Sequence, residues 1–278
     1  MIATVRQVAS NFENRFEVSC DGRAVCTAQT PWLSLSAPFG MEQLRKLTLW
    51  DGEGKTLFTT AYHAGDNALE EAVPLKFLTG EGQRFCRYEI LGPQGCAGAF
   101  YTRQDGFLNT KFCLEYQGKV LLGYDVDKGR VNVVSICDGP RQIAQITKPL
   151  AVLDNLDLYY LHIAEEFDGL LPLLAFFVVY YDYRKYGGSG QLTKKSARLS
   201  WSWTYHKNNR FYDPDWIARQ FGEEAARQLE QEIAGHRAAA AAVIKHSAKT
   251  VGLCFLIGVP VTFGLLLLFL YKRGLLPM

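Results

Sequence analysis

The sequence predicts a mainly β protein in which an antiparallel sheet surrounds a hydrophobic helix, followed by an amphipathic helix and a transmembrane helix. Three observations lead to this prediction. Short β-branched runs separated by turn dipeptides recur from Phe16 to Ile163, a short apolar run follows them, and a longer uncharged run lies near the C-terminus. With 278 residues, 48% of them hydrophobic, the chain can bury a core without disulfides or a metal.

Turn dipeptides such as Asp21-Gly22, Asp105-Gly106 and Gln117-Gly118 are typical of β-hairpins. The strands expected around such turns are Lys46–Trp50, Lys55–His63, Phe85–Leu91, Cys96–Arg103, Phe107–Tyr116, Lys119–Asp127, Arg130–Cys137, Arg141–Lys148 and Asp157–Ile163. Helices do not alternate with these strands in the sequence pattern, so the sheet should be antiparallel. This many strands must close into a barrel or split into two layers.

The apolar run over residues 168–182 predicts a helix that is enclosed by the sheet. Asp168 suits an N-cap, and Pro172 falls in the first turn, where its missing N–H costs little. The helix is apolar on every side, and its length of about 20 Å is short for a hydrocarbon core of ~30 Å. It therefore belongs inside protein, and a re-entrant membrane hairpin is the alternative.

A basic segment follows this helix. Residues 184–212 contain seven basic residues and no acid, and the linker proper, 187–212, begins with a glycine-rich break. Aromatic side chains favour the headgroup zone of a bilayer, and basic side chains are attracted to anionic lipid. The alternating apolar side chains from Leu199 to Tyr205 fit an added strand equally well, so both interpretations stand. The candidate lipid-binding residues are Lys194, Lys195, Arg198, Trp201, Trp203, Lys207 and Arg210.

Residues 213–247 predict an amphipathic helical stalk. Asp213 and Pro214 form a favourable helix start, since an acid at the N-cap precedes a proline at the first helical position. One apolar seam then recurs at every fourth residue, and it can pack on the barrel or mediate self-association. The seam residues are Ile217, Phe221, Ala225, Leu229 and Ile233.

The segment Val251–Tyr271 predicts a single transmembrane helix. It has 21 uncharged residues bounded by Lys249 and Lys272, and at about 1.5 Å per residue it crosses a hydrocarbon core of ~30 Å. Seven residues follow it, and the N-terminus has no signal-peptide pattern. The seven cysteines include no C-x-x-C pair, as is usual for free thiols in a reducing compartment. We therefore expect a tail-anchored, single-pass membrane protein with its barrel on the cytoplasmic side.

The stretch from Arg141 to Tyr183 combines two β-branched strands with the apolar helix in a distinctive order. The order resembles that of the tubby C-terminal, LURP-one-related and phospholipid scramblase superfamily, over residues 1 to about 186. The resemblance implies a closed barrel of roughly twelve strands around the helix, and it implies phospholipid binding. The upstream proline-rich region and cysteine clusters of scramblases are absent, and no lysine and arginine match tubby's phosphoinositide-binding pair. The matching positions are Ile143, Ala144, Ile146, Lys148, Asp157, Tyr159 or Tyr160, Leu161, Ile163, and the helix from Asp168 to Asp182.

No catalytic or metal-binding motif is visible in the sequence. Gly52 to Thr56 looks like the end of a P-loop, but Leu49 stands where that motif needs glycine, and G-x-S-x-G and H-E-x-x-H are missing. His162 beside Glu165 and Glu166 is the only titratable cluster near the expected barrel end. We expect neither enzyme activity nor a cofactor or metal.

The function expected is therefore engagement of phospholipid headgroups, or of a partner protein, at the cytoplasmic membrane surface. The partners would be the lipid bilayer, anionic phospholipids in particular, and a protein partner or a second copy, with no nucleic acid. The alternatives are scramblase-like lipid transport by an oligomer and an unrecognised hydrolase. A single span offers no polar path for lipid, and the hydrolase lacks a visible nucleophile and base.

Overall fold

A computed structural model describes residues 1–10, 13–31, 46–71, 84–105, 110–154, 156–186, 197–199 and 206–245. Over these residues the chain is mainly β, and twelve of its strands close into one antiparallel barrel. The strands are β1 (Ile2–Ser10), β2 (Glu13–Cys20), β3 (Arg23–Pro31), β4 (Thr48–Asp51), β5 (Thr56–Tyr62), β6 (Arg84–Gly92), β7 (Gly95–Gln104), β8 (Thr110–Tyr116), β9 (Lys119–Asp127), β10 (Val131–Asp138), β11 (Arg141–Pro149), β12 (Ala151–Leu153), β13 (Leu158–Ile163) and β14 (Ala197–Leu199). The helices are α1 (Ala64–Glu71), α2 (Leu171–Lys185), α3 (Trp216–Phe221) and α4, which is described over residues 223–245.

The barrel is an up-and-down meander that its first strand closes. Each barrel strand pairs with the next one along the chain, and β1 lies between β2 and β13, with Val5 opposite Tyr159. Because these pairings are antiparallel, successive turns lie at alternate ends of the barrel. β12 leaves the barrel and pairs with β14 instead. The structure confirms the prediction of a closed antiparallel barrel of about twelve strands.

The backbone confirms two of the hairpin signals, while Gly106 of the Asp105-Gly106 signal lies outside the described residues. Asp21 and Gly22 have φ of 50° and 75°, and Gln117 and Gly118 have φ of 48° and 78°. Positive φ at both central residues is what a two-residue type I′ turn requires. β9 spans the same residues as predicted, and the other predicted strands differ by a few residues at their described ends. The first three residues of the predicted strand Phe107–Tyr116 lie outside the described residues. No bounds were predicted for β1, β2, β3, β12 or α1, although the Asp21-Gly22 turn between β2 and β3 was predicted.

α2 runs through the barrel and forms the centre of its core. Every side chain from Leu173 to Tyr183 is buried, including the carboxyl of Asp182. The ring of Phe100, from the barrel wall, lies 5.7 Å from that of Phe176 and 5.2 Å from that of Tyr180. Burying each large apolar side chain contributes about 1.5–3 kcal/mol, so packing around α2 is a principal source of stability. The prediction of an enclosed hydrophobic helix is confirmed.

α2 begins at Leu171, later than predicted, and Asp168 is not its N-cap. Residues Glu165–Leu170 form a 3₁₀-helix, and Leu170 takes the N-cap position without a side-chain hydrogen bond. Asp168 forms an ion pair with the Met1 α-ammonium at 3.1 Å instead. The tighter 3₁₀ turn connects β13 in the wall with α2 on the axis, a common role for such turns. Pro172 lies in the first turn of α2 as predicted.

The stalk consists of two helices instead of one. Gly222 separates α3 from α4 with a φ of 89°, which residues with a Cβ rarely adopt. The apolar seam packs on the outside of the barrel, where Ile217 and Leu229 are buried against Tyr160 of β13. Of the two roles left open for the seam, the described residues show packing on the barrel.

The predicted transmembrane segment, Val251–Tyr271, lies outside the described residues, as do the last two residues of the predicted stalk. Among the helices of the described ranges, none is both long and apolar enough to cross a bilayer.

Candidate functional site

The end of α2 and the return of α4 both lie at one end of the barrel. α2 ends there at Lys185, and the β9–β10 turn (residues 128–130) and Pro149 lie at the same end because neighbouring strands are antiparallel. We name this the exit end. α4 returns to it along the outer wall, since the His236 ring forms a hydrogen bond with the backbone of Ala151. The β2–β3, β4–β5 and β8–β9 turns lie at the opposite end.

A buried ionic cluster closes the exit end. The Lys148 ammonium forms a close ion pair with the Asp157 carboxylate, and the two side chains are only 1% and 2% exposed. Tyr159 donates a hydrogen bond of 2.5 Å to Asp182 of α2. The Lys148 ammonium also lies 4.3 Å from the ring centroid of Tyr186, just beyond the end of α2. β11, β13 and the central helix are therefore tied together by polar contacts inside the barrel.

The protonation of this cluster follows from its burial. Burial, and next the nearby negative charge of Asp157, raise the pKa of Asp182 to about 8. Two carboxyl groups and one ammonium then carry no net charge when Asp182 keeps its proton, and an unbalanced charge in this interior would be costly. Burial also raises the pKa of Tyr159, so its hydroxyl remains a hydrogen-bond donor.

A second polar contact ties the basic segment to the same end. The Lys185 ammonium lies 2.8 Å from the Asp125 carboxylate, and the Tyr181 hydroxyl donates to that carboxylate at 3.1 Å. Asn208, in the 3₁₀-helix His206–Phe211, donates through its side chain to the Asp125 carbonyl at 3.2 Å. Burial raises the pKa of Asp125, and Lys185 opposes that rise. The chain that leaves the barrel after α2 thus returns and docks on β9.

The candidate lipid-binding residues are only partly within the described chain. Lys194, Lys195, Trp201 and Trp203 lie outside it, and the backbone of Arg198 lies in β14 opposite Val152.

The two remaining candidates are exposed but lie apart. Lys207 donates to the Asp105 carbonyl at 3.2 Å at the exit end. The Arg210 guanidinium lies 4.6 Å from the Phe211 ring centroid and lines a shallow groove with Arg141 on the barrel wall. The described candidates therefore form no single cluster.

The added-strand interpretation of the basic segment applies to three residues. Ala197–Leu199 pair antiparallel with Ala151–Leu153, outside the closed barrel. The pairing is described no further than residue 199, so the membrane-contact interpretation of residues 200–205 stays a prediction.

The surroundings of His162 differ from those expected from the sequence. His162 is buried beneath the Phe221 ring, with 5.3 Å between the ring centroids. Burial, and the positive N-terminus after it, lower the pKa of His162 to about 4, so the imidazole is neutral near neutral pH. Among the described side chains, no group of three or more His, Cys, Asp or Glu could hold a metal ion.

No shared role for Lys148, Asp157 and Asp182 was predicted from the sequence. Each is a charged residue within a predominantly apolar run, and that is the signal by which the cluster could have been found. Their convergence needed the fold, because Lys148 lies on β11, Asp157 immediately precedes β13, and Asp182 lies on the enclosed helix.

Comparison of the chain with protein-family models, with curated proteins and with solved structures found no match. The structure supports only the predicted barrel architecture. The resemblance to the tubby, LURP-one-related and scramblase superfamily stays a prediction.

Proposed function

We propose that this chain is a non-enzymatic barrel protein that residues 251–271 anchor in a membrane and whose exit end engages anionic phospholipid headgroups on the cytoplasmic side. The observation that carries the proposal is the placement of the chain's connections. The basic segment leaves the barrel at the exit end, and α4, the last described helix before the uncharged segment, returns to that end.

This placement brings positive charge toward the proposed bilayer. Val251 lies only six residues beyond the end of α4 as described, so an anchor there holds the exit end near the membrane surface. Each basic residue close to an anionic leaflet contributes about 1 kcal/mol of attraction. Trp201 and Trp203 add indole rings, which favour the headgroup zone. Tethering and lipid recognition would then act at the same end of the molecule.

The proposal is tested by flotation of residues 1–245 with vesicles of phosphatidylcholine alone or mixed with phosphatidylserine. This fragment keeps every described contact of the barrel, α3 and α4. We expect binding to the anionic vesicles only. Neutralising Lys194, Lys195 and Arg198 to glutamine should weaken binding by roughly 3 kcal/mol, more than a hundredfold, if all three contact the leaflet.

The matched control neutralises three exposed basic residues at or beside hairpin turns at the opposite end of the barrel, Arg23, Lys55 and Lys119. It makes the same change in net charge and should leave binding nearly unchanged. High salt should reproduce the loss, because the Debye length falls to ~3 Å at about 1 M. Equal binding of the fragment to neutral and anionic vesicles would contradict the proposal.

A further inference from the structure

A groove of about 810 Å³ lies between the β9–β10 turn and α4, at the exit end. One wall is the turn itself, with Lys128 and Arg130 exposed on either side of Gly129. The other wall is a stripe of α4 that includes Arg227 and Arg237. These two arginines are ten residues apart, which places them about 80° apart around the helix axis, and both line the groove.

The groove carries a net positive charge. Its lining includes the four cations of Lys128, Arg130, Arg227 and Arg237 against the single carboxylate of Glu230, and Arg227 also forms an ion pair with Glu224 at 2.7 Å. The Lys128 ammonium also lies 4.4 Å from the ring centroid of Tyr212, which holds it beside the groove. Charges of one sign gathered along a cleft attract ligands of the opposite sign.

The floor of the groove is apolar. Val131 and Ile233 are half-buried there, and Ala234, Ala238 and Ala241 line it from α4. An apolar floor between positive rims suits a ligand that carries a phosphate and also a hydrocarbon part. A free phosphate ion would contact the basic side chains of the rims and leave the apolar floor exposed to water.

Neighbouring segments of this chain do not supply the complementary charge. Residues 187–196, 200–205 and 246–278 contain Lys194, Lys195, Lys249, Lys272 and Arg273 and no Asp or Glu. A cationic segment would be repelled from a cationic groove. The complementary charge must therefore come from outside these segments.

We propose that this groove binds the phosphate-bearing headgroup of an anionic phospholipid, with the glycerol and upper acyl region on the alanine face of α4. The inference rests on the proposed membrane function and names its binding site. A bilayer lipid is favoured over a soluble phosphate by the apolar floor and by the short distance in sequence from α4 to Val251.

The test uses the full chain in nanodiscs of phosphatidylcholine alone or mixed with phosphatidylserine, with hydrogen–deuterium exchange as the readout. We expect phosphatidylserine to slow exchange in residues 127–131 and 227–241, the two walls. The double variant Arg130→Glu with Arg237→Glu should lower the affinity for phosphatidylserine at least about 30-fold, since each cation contributes about 1 kcal/mol near an anionic surface. Protection of the walls should then be lost at lipid compositions that protect the wild type.

The matched control is Arg23→Glu with Lys55→Glu, which changes the net charge equally at the opposite end and should keep wall protection. If the Arg130→Glu, Arg237→Glu variant melts at a lower temperature than the wild type, the milder Arg130→Gln, Arg237→Gln variant replaces it. Protection confined to residues 191–205, or wall protection that neither groove variant reduces, would overturn the groove site and leave the membrane function standing.

Two further outcomes separate the remaining explanations. If inorganic phosphate added to phosphatidylcholine nanodiscs protects the walls as well as phosphatidylserine does, the ligand is a free phosphate and the lipid assignment is wrong. If phosphatidylserine changes exchange nowhere in the chain, the groove site and the proposed function fail together.

Discussion

Replacing Asp182 by asparagine tests whether the buried cluster holds a proton. Asparagine has the shape of a protonated aspartic acid, and its side-chain oxygen can still accept the hydrogen bond from Tyr159. Its amide can donate to Asp157, as the protonated carboxyl does. The substitution therefore removes a titrating group while keeping the contacts of the cluster.

The sign of the expected effect follows from proton binding. The pKa of Asp182 is raised from 3.8 to about 8, so between these pH values the folded chain holds a proton that the unfolded chain has released. The wild-type free energy of unfolding should therefore lose about 1.4 kcal/mol per pH unit in this window through Asp182. The asparagine variant lacks this loss. From about pH 5 to about pH 7 the variant should gain ~2.7 kcal/mol relative to the wild type.

Other groups cancel in this comparison because both proteins contain them. The pKa of His162 is lowered to about 4, so in the unfolded chain it binds more protons than in the folded chain between about pH 4 and its ordinary value of 6.5. That group raises stability with pH, opposite in sign to Asp182. The pH dependence of the wild type alone would therefore conceal the Asp182 contribution over part of the range.

The assay is guanidinium denaturation of the full chain in detergent at several pH values, followed by tryptophan fluorescence. Glu53→Gln, in an exposed turn, is the control, and its stability difference from the wild type should vary little with pH. Parallel pH curves for the wild type and Asp182→Asn would refute the reasoning. A variant whose stability deficit grows as pH rises would show that an ionised Asp182 balances Lys148.

Three further predictions concern the enclosed helix α2, the close pairing of β7 with β8, and residues 251–278. Val178→Lys should abolish cooperative thermal unfolding, because Val178 is 0% exposed and an unpaired buried charge costs several kcal/mol of a typical stability of about 5–15, whereas Val8→Lys, at a site 47% exposed, should melt like the wild type. Gly98→Ala should lower stability by about 1–3 kcal/mol in the same melts, since its Cβ would lie 1.9 Å from the Glu115 carbonyl oxygen; an unchanged melting temperature would contradict this contact. Deleting residues 251–278 should release the chain from membranes on carbonate extraction, and a truncated chain that stays in the pellet would place another segment in the bilayer.

The parts of the fold that the sequence predicted are those with strong local signals. β9 lies between two turns that contain glycine, and its ends were predicted correctly. α2 was predicted because an apolar run without a polar face is stable only when protein surrounds it. Its start was misplaced, since Asp168 has the side chain of an N-cap but is bound by the Met1 ammonium, a partner 167 residues away in sequence.

β1 shows why the first strands were missed. Its inward positions include the polar Gln7, and Val8 points outward, so the alternation of apolar and polar residues is reversed over part of the strand. The register also shifts between Gln7 and Ala9. Gln7 is buried because its side-chain oxygen accepts a hydrogen bond from the Asp157 backbone, a contact that only the closed barrel creates.

The candidate sites were harder to predict because their parts are distant in sequence. Seven basic residues in one segment can be seen in the sequence, and they led to the prediction of a membrane-binding linker. The groove instead combines Lys128 and Arg130 from a hairpin turn with Arg227 and Arg237 from a helix about a hundred residues later. Neither half is unusual by itself, since isolated basic residues are common on exposed turns and helices.

The groove is linked to the buried cluster through β10 and Tyr186. β10 continues directly from the turn that forms one wall of the groove, and its Asn132 donates a hydrogen bond to the Tyr186 hydroxyl beside Lys148. On the other side of that turn, Asp125 of β9 is held by Lys185 and Tyr181 of the central helix. Breaking one partner of a buried ion pair typically costs about 3–5 kcal/mol, so these contacts resist local opening of the exit end. Since a rigid site binds with less loss of conformational entropy, the buried cluster would favour lipid binding in the groove without contacting the lipid.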